Sequence, residues 1–200
     1  MGCQFSRKNN EKYFYNMKIQ QVKNEQIKVG DIVLVGSFYI DSDENLCFTK
    51  HHKLLDKEYK CDYGRVYFLT QSKEIIKIGG SSSKGGIKAT IGSYLNGKKG
   101  QPGESRFAIN LLITEELNKQ NKIELYMILC PETYVRINGL TTTGMIVSVN
   151  PFKEIENLCK EDYFKENKKY PKWNYKENNT SYPSYIKKAY SNYKSNAANK

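Results

Sequence analysis

The chain is short of acidic residues, arginine, tryptophan and long apolar runs, and each shortage excludes something. Its 200 residues carry 21 Asp and Glu against 32 Lys and Arg, a formal charge of +11. That surplus points to a polyanionic partner, nucleic acid first, more readily than to a small neutral substrate. Only four of the cations are arginine (Arg7, Arg65, Arg106 and Arg136), so a coding bias towards lysine contributes to the charge. No apolar run approaches the roughly 18 to 20 residues of a membrane span, and no apolar h-region follows the first basic residues. A soluble, cytoplasmic protein with one core is the expectation. The five cysteines are odd in number, scattered and without a C-x-x-C, which argues against a disulfide framework. Cys47, His51, His52 and Cys61 could surround zinc, but no second ligand pair has finger-like spacing, so buried thiols and surface imidazoles are the simpler reading. The start, MGCQFSRK, fits the loose N-myristoylation pattern, yet the match is short and one acyl chain anchors weakly. Membrane anchoring through Gly2 and Cys3 is therefore not expected.

What is present is a chain that divides by composition. Residues 1–26 are a polar arm, and 27–60 hold an accessory β-hairpin, IKVGDIVLVGSFYI and LCFTK around a DSDEN turn. Residues 61–174 form the core. GRVYFLTQSKEIIKIGG (64–80) reads as a second hairpin, followed by a Gly- and Ser-rich loop, a short helix over 87–95, and a helix over 106–120 with Ser105 as cap. Strands follow at 122–130 and 143–150. PFKEIENLCKEDYFKE (151–166) is the clearest helix, with Asn150 as cap and Phe152, Ile155, Leu158, Cys159 and Tyr163 along one face. Residues 175–200 are a basic tail rich in Tyr, Lys and Asn, either a solvated end or a strip that tracks a nucleic-acid backbone. The fold class is α+β, a small central, mostly antiparallel sheet flanked by helices.

In the second hairpin a three-residue turn at 71–73 would set Tyr67 opposite Lys77 and Phe68 opposite Ile76. Val66, Phe68, Ile76 and Ile78 would then share an apolar face, and Tyr67 and Lys77 the other. Such a Tyr and Lys can be a plain surface pair. The glycines after Lys77 favour a ligand site, and a cation beside a phenol favours the phenolate.

RVY (65–67), KIG (77–79), and the distal ENLCKEDY and PKWN together resemble the GIY-YIG nucleases, over roughly Gly64 to Asn174. The KIG variant is similar to that of small type II restriction endonucleases. The resemblance implies a nuclease hydrolysing phosphodiester bonds of double-stranded DNA with Mg²⁺ or Mn²⁺, either a restriction enzyme or a repair, homing or mobile-element nuclease. It implies Glu156 as metal ligand, Tyr67 as activator of the nucleophile, Lys77 and Lys88 as balancing cations, and Tyr94 as orienting group. Asn174 would support the metal site from behind, and Lys84, Arg106 and Lys172 would contact DNA. The family's helix arginine is missing: Thr90 holds its place, leaving Lys88 or Arg106 to replace it. That gap also keeps open a catalytically inactive nucleic-acid-binding module. A homodimer with no obligatory protein partner is expected.

Overall fold

The computed structural model describes residues 31–137 and 145–198. The N-terminal arm, Gly2 and Cys3 lie outside that range. Five strands form one antiparallel sheet: β1 (Ile32–Ile40), β2 (Leu46–Lys50), β3 (Gly64–Gln71), β4 (Glu74–Ser81) and β5 (Ile123–Cys130), in the order β2-β1-β5-β3-β4. The predicted first hairpin is β1–β2, and it extends the sheet because β1 pairs with β5. The helices are α1 (Asp56–Tyr59), α2 (Gly86–Leu95), α3 (Glu104–Asn118), α4 (Phe152–Asn167) and α5 (Ser184–Ala198). A separate two-stranded ribbon, β6 (Thr133–Ile137) and β7 (Met145–Val149), lies partly where the sequence suggested only loop.

Both faces of the sheet are covered. On one, Val66, Phe68, Ile78 and Ile128 pack against Ile155 and Cys159 of α4. On the other, Tyr67, Leu69, Ile76, Leu125 and Met127 join the core made by α2, α3 and α5 through Ile87, Ile91, Ile109, Ile113 and Ile186. Burial on both faces explains why β3 reads as a nearly continuous apolar run rather than an alternating one.

The register of the β3–β4 hairpin differs from the expectation. Its turn has two residues, Ser72 and Lys73, both at positive φ (48° and 77°), with Gln71 facing Glu74. This is the backbone of a type I′ turn without the Asn-Gly that usually signals one. A bulge then places Leu69 opposite Lys77 and Tyr67 opposite Gly79. Because the pairing slips by two positions overall, Tyr67 and Lys77 keep the same face but are not directly opposed. The bulge also turns Ile76 towards Tyr67 and Leu69, while Ile75 takes the α4 side.

Two caps differ as well. Helix α3 starts from Gly103 rather than Ser105, and α4 from Pro151 rather than Asn150. Leu158 faces solvent, 43% exposed, because it lies on the flank of α4 that turns away from β3 and β4. The tail packs back onto the core: Tyr190 donates to Pro102 O at 3.0 Å, Tyr193 to Gly100 O at 2.8 Å, and Tyr185 to Glu115 at 2.6 Å. Its rings are thus engaged with α3 and the loop before it.

Candidate active site

A cleft of about 850 Å³ opens where β4, α2, α3 and the 173–182 segment meet. Tyr67, Lys77, Ser81, Thr90 and Tyr94 line it, with Trp173, Asn174 and Glu177 on the far wall. Among the charged residues lining it, Lys77, Lys99, Arg106 and Lys176 face a single carboxylate, that of Glu177. The cleft is therefore positive on balance, as a phosphate-binding groove would be.

Tyr67 enters from β3. Its ring passes over Gly79, where a Cβ would lie 2.5 Å from the phenol carbon and oxygen, so the strand must have glycine there. The hydroxyl meets that of Tyr94 at 2.7 Å. Both rings are buried, and burial pushes both phenols above their ordinary value, Tyr94 the more strongly. The expectation of a phenolate at Tyr67 is thus corrected: desolvation outweighs the neighbouring cations, and the pair is neutral near pH 7. Lys77 is partly buried beside the same cleft, and its ammonium is drawn below the ordinary value by desolvation, against the opposing charge of Glu177.

Glu156 arrives from the opposite face. It lies on the flank of α4 beside Ile155, 6% exposed, with its carboxylate against the Gly80 backbone, where a Cβ would come within 2.5 Å of Oε2. Consecutive glycines therefore admit the two key side chains, one from each face of the sheet. Lys160 Nζ sits 2.6 Å from Glu156 Oε1 and Lys153 Nζ 2.9 Å from Oε2. Burial alone would raise this carboxyl, but the bonds and charges of Lys160 and Lys153 offset it and hold it below its ordinary value. Glu154, two residues earlier on the same helix, is exposed. Glu156 offers the hard oxygen donors that Mg²⁺ or Mn²⁺ takes, and it already accommodates a cation in Lys160, so its chemistry fits a divalent ion. Among the described residues no three His, Cys, Asp or Glu side chains form a metal cage.

The other expected residues are dispersed. Lys88 points to solvent from α2 and Lys84 is exposed on the loop before it. Arg106 lines the cleft but is exposed. Lys172 is bonded to Gln71, lies 3.8 Å from Glu116 and holds its ammonium over the Trp173 ring at 5.6 Å, and it does not line the cleft. Asn174 is engaged with the backbone of β4: its Oδ1 accepts from Ile78 N and its Nδ2 donates to Ile78 O, both at 2.9 Å, while Trp173 N donates to Ile76 O at 2.8 Å. The PKWN segment thus caps the free edge of β4 and fixes the strand that carries Lys77.

Sequence reasoning missed Arg65. Its side chain is fully buried, and the guanidinium donates to Thr90 Oγ1 (3.3 Å), Ser81 Oγ (3.2 Å), Ser83 O (2.9 Å) and Tyr63 O (3.1 Å). Its Nε has no partner among the described residues. The cation lies directly behind Thr90 and Ser81, which line the cleft. Desolvation lowers its pKa, opposed by Asp62. The only early signal is an arginine inside an apolar strand, a position that requires a polar reason.

No protein-family profile and no curated protein matches the chain. Among solved structures, a mutant of bacteriophage T4 EndoII is similar at 17% identity over 72% of this chain and 91% of that one, with a TM-score of 0.49. The restriction endonuclease HPY188I in complex with product DNA is similar at 20% identity over 70% and 78%, with a TM-score of 0.40. No helix among the described residues is long and apolar enough to cross a membrane.

Proposed function

We propose that this protein is a divalent-metal-dependent endonuclease that hydrolyses phosphodiester bonds of double-stranded DNA, as a small restriction enzyme does. The observation that carries the reading is the meeting, at one cationic cleft, of the bonded Tyr67 and Tyr94 hydroxyls and Lys77, with the Glu156 carboxylate packed on the other side of Gly80, which lines that cleft. Phosphodiester hydrolysis needs a positioned water, cations against the charge growing on phosphorus, and a carboxylate that can hold a metal.

Each group has a role that its environment supports. Tyr67 and Tyr94, both neutral, orient the attacking water through one shared hydrogen bond, since a neutral hydroxyl can accept and donate at once. Lys77 balances charge on the phosphate from the strand pinned by Asn174. Arg65 supplies a fixed positive charge behind Thr90 and aligns the Ser81 and Thr90 hydroxyls that face the cleft. This assigns to Arg65 the compensation that Lys88, pointing to solvent, is poorly placed to give. Glu156 would hold the divalent ion, which when bound would polarise phosphate oxygens and the leaving O3′. Lys99, Arg106 and Lys176 on the rim would contact the backbone phosphates. Two such sites would serve a duplex as a homodimer.

A second reading has one observation in its favour: both oxygens of Glu156 are held by lysines, as in a module that binds nucleic acid without cutting it. Incubation of plasmid DNA with the protein in Mg²⁺ and in EDTA separates the two. Mg²⁺-dependent cleavage abolished by Glu156→Gln supports the enzyme, and tight binding with intact DNA supports the module.

A further inference from the structure

Lysines on helix surfaces run their stems along the protein and keep the ammonium in water. On α4, the Lys153 and Lys165 side chains stay largely in water, 58% and 67% exposed, even though Lys153 Nζ also bonds Glu156 Oε2. Lys160 does the opposite. It is 8% exposed overall, and its ammonium is bonded to Glu156 Oε1 at 2.6 Å and to Glu177 Oε1. Glu177 comes from a different segment, the turn after Asn174, and is among the residues that line the cleft. Two carboxylates from separate elements thus converge on one buried point, and that point holds a positive charge.

We propose that Glu156 and Glu177 together form the cation position of this protein and that Lys160 is its resident counter-ion, which a divalent ion must displace to bind. The proposal rests on the nuclease reading only for the identity of Glu156 as a ligand. It adds Glu177 as second donor and Lys160 as the competing group. Departure of the ammonium without a replacement would leave the buried Glu156 carboxylate, with only Lys153 on its other oxygen, facing the half-buried Glu177, so exchange for another cation is favoured over simple loss. A doubly charged ion compensates the pair more fully than one ammonium does. Geometry favours exchange over collapse: the Glu156 carboxylate is held against Gly80 and by Lys153 on its other oxygen, while the flexible four-carbon stem of Lys160 can swing away. Mg²⁺ and Mn²⁺ suit a site of two carboxylates completed by water and phosphate oxygen.

The test is Mn²⁺ binding by the full-length protein, read from the electron paramagnetic resonance of free Mn²⁺, with no DNA present. Lys160→Met removes the competing charge and keeps much of the stem. It should bind Mn²⁺ at least tenfold more tightly than wild type, Lys160→Arg should bind no more tightly than wild type, and adding Glu177→Gln to Lys160→Met should abolish the gain. Equal Mn²⁺ affinity in folded wild type and Lys160→Met overturns the proposal, as does a gain that survives Glu177→Gln. If Lys160→Met is unfolded without metal, Mn²⁺ titration followed by circular dichroism decides: refolding by Mn²⁺ but not by Na⁺ at equal ionic strength supports displacement, and no refolding overturns it. DNA cleavage measured in parallel keeps the two ideas apart. Tighter Mn²⁺ binding with no cleavage by any form would refute the nuclease reading alone, and Mg²⁺-dependent cleavage with unaltered Mn²⁺ affinity would refute the displacement alone.

Discussion

Arg65 on β3 and Thr90 on α2 are joined by a hydrogen bond, guanidinium Nη2 to Oγ1, at 3.3 Å. The bond ties the strand that carries Tyr67 to the helix that carries Tyr94, so one buried cation sets the spacing of the two hydroxyls. Arg65→Lys keeps the charge but loses the fork that reaches Ser81, Ser83 and Thr90 together. We expect a loss of about 1 to 3 kcal/mol in urea unfolding and a fall in cleavage rate larger than that from Lys88→Ala. Equal losses in the two variants would contradict the role given to Arg65.

The tyrosine pair makes a separate prediction. Tyr67→Phe keeps the ring over Gly79 and removes only the hydroxyl that meets Tyr94. Single-turnover cleavage should fall by about 10² to 10⁴, with DNA affinity nearly unchanged in a filter-binding assay. A loss confined to affinity would place Tyr67 outside the chemistry.

Gly79→Ala tests the packing that seats Tyr67. The new methyl would meet the phenol at 2.5 Å, so the ring must move. Overpacking of this kind costs about 1 to 3 kcal/mol, and the melting temperature and cleavage should fall together. Gly92→Ala is the contrast, since nothing lies within 4 Å of its Cβ, and it should stabilise α2 by about 0.5 to 1 kcal/mol.

Lys77 carries a pH dependence. Desolvation lowers its pKa, so the ammonium is lost at lower pH than from an exposed lysine. If it balances charge as a cation, the alkaline limb of cleavage follows that lowered value, and Lys77→Arg, which stays protonated, should move the limb to higher pH. An unmoved limb would exclude Lys77 as its source.

Acid stability should depend on Glu116. Burial raises this carboxyl, but bonds from Asn121 and the charges of Lys172 and Lys119 leave it below its ordinary 4.5. A folded value below the unfolded one means a contribution that is full at neutral pH and lost as pH falls through the folded value. Glu116→Gln should therefore lower the melting temperature at pH 7 and flatten its decline below about pH 4.5. A parallel downward shift at every pH would contradict this.

Much of the sheet was legible because strand positions show in apolar runs, and α4 because Ile155, Cys159 and Tyr163 recur at helical spacing. Tyr67 and Lys77 drew notice from the alternation of their hairpin, and Tyr94 and Glu156 only from the resemblance to the GIY-YIG motifs. The hairpin register could not, since Ser72 and Lys73 do not announce a type I′ turn and the bulge beside Ile76 has no local signature. Arg65 escaped because its acceptors on Ser81, Ser83 and Thr90 are distant in the chain and alternation alone says nothing of them. Lys160 stands four residues after Glu156, a spacing that suggests an ordinary surface pair. Its burial depends on Glu177, which only the fold brings near.

If the cleft lined by Tyr67, Lys77 and Tyr94, with Glu156 behind Gly80, cuts DNA with a divalent ion, purified protein alone should suffice. The most direct measurement is digestion of mixed plasmid and genomic DNA in Mg²⁺, in Mn²⁺ and in EDTA, with Tyr67→Phe and Glu156→Gln alongside. Discrete metal-dependent fragments from wild type, absent in EDTA and in both variants, are the predicted result. Intact DNA at high concentrations of folded wild-type protein in both metals would contradict it.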